Sequence, residues 1–80
     1  MDFSEALTWL KRGRRLARTG WNGKGMWIAL CYPANRIATL RGDETYVRLP
    51  YFYMKTADDT VVPWTASSSD LVAEDWVVLK

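Results

Sequence analysis

The chain has no histidine and only one cysteine among its 80 residues, and these two absences remove much of the usual equipment for catalysis. Without an imidazole, the commonest general base and metal ligand is missing. Cys31 has no histidine to activate it, which excludes a Cys-His nucleophile. With no second cysteine it forms no intrachain disulfide, as expected of a buried, inert thiol in a reducing compartment. No apolar run approaches the length of a membrane span, and the early apolar positions, interrupted by Glu5 and followed by Lys11, do not make a signal peptide. The expectation is a soluble, cytoplasmic protein. An excess of charge of one sign is also lacking. A net charge of +2 is too small for the counterion release that drives strong nonspecific nucleic-acid binding.

The charges that are present are segregated. Lys11, Arg12, Arg14, Arg15 and Arg18 form a basic block, while Asp58, Asp59, Asp70, Glu74 and Asp75 lie in the last third. The basic block either draws anions or decorates a helix C-terminus and a solvated face. Eighty residues make a single domain, residues 1–80, that buries about 60 to 65% of its unfolded surface, so a lone chain has a thin stability margin. Five tryptophans concentrate burial in a few large side chains, and oligomerisation is the other common remedy.

Phe3, Ala6, Leu7 and Leu10 recur at helical spacing behind a capping box of Asp2 and Glu5, predicting an amphipathic helix over 3–12 that ends at Gly13. Residues 14–18 read as extended, 26–32 as a strand stopped by Pro33, and 37–40 and 46–49 as short strands about a turn at 41–44. Tyr51-Phe52-Tyr53-Met54-Lys55 and Thr60-Val61-Val62 flank a polar turn and predict a β-hairpin. Ser67 to Asp70 offer N-caps for one or two helical turns through Ala73, and 76–79 closes as a strand. The fold class is α+β: a small, mostly antiparallel sheet with one N-terminal amphipathic helix and a short C-terminal helical turn.

The segment Thr19-Gly20-Trp21-Asn22-Gly23-Lys24-Gly25 carries the most chemistry. Glycines let backbone N–H groups approach phosphate oxygens, a lysine balances the charge, and an indole offers a face to a base. The same residues also suit a glycine-rich turn whose tryptophan fills the core.

Five blocks in order, namely Phe3-Ser4-Glu5-Ala6-Leu7, Ala17 through Met26, Met54-Lys55-Thr56-Ala57-Asp58, Val62-Pro63-Trp64 and Asp70 through Trp76, together resemble the Thoeris anti-defense 2-like family across nearly the whole chain. Two departures stand out: the middle region, Pro33 to Arg48, is shorter than in many relatives, and Asp59 stands where relatives often have glycine. The resemblance implies a small phage or prophage protein, not an enzyme and without a cofactor. It implies a homotetramer that sequesters cyclic ADP-ribose-type signals, such as glycocyclic ADP-ribose isomers, with cyclic dinucleotides at a separate site in some members.

On this expectation Trp21 stacks on the adenine or lines its slot, Asn22 bonds base or ribose, and Gly23 to Gly25 present backbone donors to the pyrophosphate with Lys24 as counter-charge. Phe3 and Trp64 form a second aromatic wall or pack in the core. Asp70 accepts ribose hydroxyls or caps the short helix. Trp9, Trp27 and Trp76 belong to core or subunit interface, and Lys55 and Thr56 face solvent or a neighbouring subunit's ligand. A domain this small needs two chains to enclose a nucleotide. The alternatives are a single-strand nucleic-acid binder, suggested by basic residues and aromatics on a small sheet, a cyclic-nucleotide hydrolase using carboxylates such as Asp70 and Glu74 around magnesium, and a purely structural module.

Overall fold

A computed structural model describes residues 1–21, 24–40, 42 and 44–79. The first helix, α1 (Phe3–Lys11), starts where the Asp2 carboxylate accepts the Glu5 N–H at 2.9 Å. It ends in a Schellman motif: Gly13 N–H donates to Leu10 O at 3.0 Å and Arg14 N–H to Trp9 O at 3.1 Å, with Gly13 at φ +85°. The strands β1 (Arg15–Arg18), β2 (Trp27–Cys31), β5 (Tyr51–Lys55), β6 (Val61–Pro63) and β7 (Trp76–Leu79) form one antiparallel sheet in the order β6-β5-β2-β1-β7. Pro63 is tolerated because β6 lies at an edge. The helix α2 (Ser68–Val72) precedes β7 and begins with a true capping box between Ser67 and Asp70.

A separate hairpin joins β3 (Ile37–Leu40) to β4 (Glu44–Val47) and, among the described residues, packs on no other helix or strand. Here the expected strand at 46–49 begins earlier: Glu44 pairs with Leu40, and its carboxylate accepts the Tyr46 hydroxyl at 2.7 Å.

Register divides the large sheet into two faces. Leu16, Ile28, Met54 and Val62 share one face with Trp76 and Val78. Against it α1 lays Ala6 and Leu10, closing a core with Leu16, Ile28, Ala73 and Trp76. The opposite face carries Trp27, Tyr53, Tyr51, Val61 and Val77 at alternate positions, and among the described residues neither helix packs there. Trp27 and Tyr53 meet edge-on at 5.9 Å, and the Arg15 guanidinium lies 5.2 Å from the Trp27 ring centre. The α+β expectation is therefore met.

Candidate functional site

Three aromatic side chains singled out in the sequence converge on one ring. Trp76 is fully buried, pinned by its Nε1–H donating to Asp70 O at 3.0 Å. Phe3 meets it edge-on at 5.4 Å, Trp21 at 5.4 Å and Trp64 at 6.1 Å between centroids. Phe3 and Trp64 also contact each other at 6.3 Å. All three are only partly buried, so each has one side on the core and another toward solvent. Such a cluster offers π faces next to a rigid support, the arrangement in which an aromatic ligand ring gains contact with little reordering.

The segment carrying Trp21 links β1 to β2 and is tied to α2 and β7 by Arg18. The Arg18 Nη1 donates to Asp70 Oδ1 and its Nε to Asp75 Oδ1, both at 2.9 Å. Asp75 Oδ2 accepts the Gly20 N–H at 2.9 Å, and Asp75 O accepts the Thr19 N–H at 3.1 Å. Hydrogen bonding from Arg18 holds the Asp75 carboxyl below its usual range against opposing desolvation, with the Gly20 N–H adding to it. At Asp70 burial pushes the carboxyl up, but the Ser67 N–H, Arg18 and the Ser67 hydroxyl outweigh it and leave the pKa lowered. Both carboxylates together push the Arg18 pKa higher still, Asp75 first.

Of the residues expected at the site, Phe3, Trp21 and Trp64 are brought together, while Lys24 and Gly25 sit exposed along the same segment as Trp21. Asn22 and Gly23 lie outside the described residues. Asp70 caps α2, accepting from Ser67 N at 3.0 Å and Ser67 Oγ at 2.9 Å. Lys55 faces neither open solvent nor empty space: it is partly buried and its Nζ donates to Gly25 O at 3.0 Å. Sequence reasoning missed Arg18 and Asp75 as a linked pair. The signal was present only as a basic block and an acidic C-terminal third, and the partners lie 52 and 57 residues apart.

A cavity of about 490 Å³ lined by Cys31, Pro33, Ala34, Asn35, Arg48, Leu49 and Tyr51 lies elsewhere. It sits at the Cys31–Tyr51 end of β2 and β5, whereas the glycine segment adjoins the Trp27–Lys55 end, and none of the expected site residues lines it. Hydrogen bonding with Cys31 pushes the Tyr51 hydroxyl pKa up there. Among the described residues no group of three or more His, Cys, Asp or Glu is placed to hold a metal ion, and no helix is long and apolar enough to cross a membrane.

Comparison with known proteins supplies the rest. The family model described as the Thoeris anti-defense 2-like domain matches residues 1–79. The chain is 38% identical over 85 residues to Thoeris anti-defense 2 of Bacillus phage SP01, an alignment that covers 99% of this chain and 94% of that protein.

Proposed function

Because the chain belongs to the Thoeris anti-defense 2-like family, we propose that it is a non-catalytic sponge that binds a cyclic ADP-ribose-type signal, such as a glycocyclic ADP-ribose isomer, and so blunts Thoeris defence in the infected host cell. The observation that carries this reading is the partly exposed Trp21 held edge-on against buried Trp76 at 5.4 Å, on the segment that also displays Lys24 and Gly25. Trp21 stacks on the adenine, worth about 1 to 3 kcal/mol per base. Phe3 and Trp64 supply the second wall. Asn22 serves base or ribose, and Gly23 to Gly25 with Lys24 serve the pyrophosphate. Asp70 has spent three of its roughly four acceptor sites on Arg18 and Ser67, leaving one for a ribose hydroxyl.

The rigid macrocycle loses little freedom on binding, so more of the contact energy appears as affinity. The pocket closes with residues of a second subunit in a homotetramer. The sheet face bearing Trp27, Tyr53, Val61 and Val77 supports such assembly, since its apolar side chains, interrupted by Lys55 and Arg15, gain by burial against a partner.

The test is to incubate the purified protein with a panel of cyclic ADP-ribose isomers, denature it and weigh the released ligand by mass spectrometry. A sponge returns the ligand intact, whereas product would identify a hydrolase. A salt-steep interaction with single-stranded oligonucleotides and none with the isomers would favour the nucleic-acid alternative.

A further inference from the structure

The segment between β1 and β2 is gripped at both ends by side chains that belong to other elements. At its leading end Asp75 takes the Gly20 N–H at 2.9 Å and is itself braced by Arg18 Nε at 2.9 Å. At its trailing end Lys55 Nζ donates to Gly25 O at 3.0 Å and pairs with Asp59 Oδ1 at 2.6 Å. An anion thus holds a backbone donor and a cation holds a backbone acceptor, each bond charge-assisted.

The two glycines match the two grips. A Cβ on Gly20 would lie 2.9 Å from Asp75 Oδ2, and one on Gly25 would lie 3.3 Å from Lys55 Nζ, with Gly25 also at φ +78°. Between these points the chain carries Trp21, whose N–H donates to Arg18 O at 3.2 Å, and Lys24.

We propose that Asp75 and Lys55 are positioning residues for the ligand site: they do not touch the nucleotide but hold Gly20 and Gly25, so that the adjoining Trp21 and Lys24 are already in place when ligand arrives. This rests on the reading of that segment as the nucleotide site. Pre-ordering a recognition loop raises affinity by removing the cost of ordering it on binding. A direct contact from Lys55 to the pyrophosphate is the competing role, and the two roles separate experimentally.

The experiment measures amide hydrogen exchange of the free protein together with titration by a glycocyclic ADP-ribose isomer, for Asp75→Asn, Lys55→Met, Lys55→Arg and the Asp75→Asn/Lys55→Met pair. Pinned ends predict that Gly20 and Trp21 amides exchange at least about tenfold faster in Asp75→Asn. Lys55→Met speeds exchange at the trailing end. Each of these two variants weakens binding about fivefold to tenfold, Lys55→Arg restores it, and the double variant loses much less than the product of the two, because both act on one segment.

Wild-type exchange in Lys55→Met alongside weakened binding, or losses that multiply in the double variant, would overturn the proposal in favour of a direct contact. If Asp75→Asn fails to fold, Lys55→Met and Lys55→Arg decide alone. Should the wild type bind no isomer, the functional reading falls by itself. The exchange rates then still uphold the pinned segment if they rise in Lys55→Met, and overturn it if they do not.

Discussion

Trp21 and Trp76 are neighbours with opposite duties, and the difference is burial. Trp76 has no exposed surface and its indole N–H is spent on Asp70 O. Its replacement by alanine opens a large cavity costing about 3 to 5 kcal/mol, much of the stability of an 80-residue domain, so Trp76→Ala should be unfolded or nearly so by urea titration. Trp21 is partly exposed. Gly25 is a different kind of constraint: at φ +78° it occupies the left-handed region, where a Cβ costs about 1 to 2 kcal/mol. Gly25→Ala should lower the thermal midpoint even though the residue is exposed. Asp59, at φ +64°, stands in the same region, where the short polar side chain of an aspartate is tolerated better than most.

Short elements here depend on their caps. α2 has only five residues, too few to persist on propensity, and Ser67 Oγ accepts the Asp70 N–H at 3.2 Å. Ser67→Ala should cost about 1 kcal/mol, measurable as a lowered urea midpoint. Capping was legible in the sequence, because Ser67 and Asp70 stand three apart before an apolar pair, and so were α1, both strands of the 51–63 hairpin and the closing strand. The unbroken apolar run from Met26 to Tyr32, stopped by Pro33, announced a strand. What the run lacked was a partner. Nothing local says that β1 lies between β2 and β7, and without that order Arg18 gives no hint of meeting Asp70 and Asp75. The candidate aromatic cluster was legible only as residue types, Phe3, Trp21 and Trp64, while their convergence on Trp76 needed the fold. The start of β4 at Glu44 was missed because a charged residue in a polar turn reads as loop until Leu40 is seen opposite it.

At the scale of the whole molecule, acid sensitivity and assembly follow from two surfaces. Asp70 and Asp75 both have folded pKa values below those of the unfolded chain, so the unfolded state binds more protons as pH falls. Their contribution is fully present above the ordinary carboxylate range near pH 4 and is lost as pH drops through the lowered folded values. Stability measured by urea titration should therefore decline with falling pH below about 4, and Asp70→Asn should show a flatter decline in that window. The uncovered sheet face predicts assembly: Val77→Glu puts a charge on that face without touching the core and should shift the mass measured by light scattering toward smaller species.

The most direct test of the central claim is isothermal titration of the wild type and of Trp21→Ala with a panel of glycocyclic ADP-ribose isomers, with circular dichroism confirming that both are folded. Sequestration predicts submicromolar binding of at least one isomer by the wild type. It predicts a loss of about fivefold to a hundredfold in the folded Trp21→Ala variant, as expected for one stacked base. Equal affinity in the two proteins would remove Trp21 from the site, and no heat with any isomer in the wild type would contradict the sponge itself.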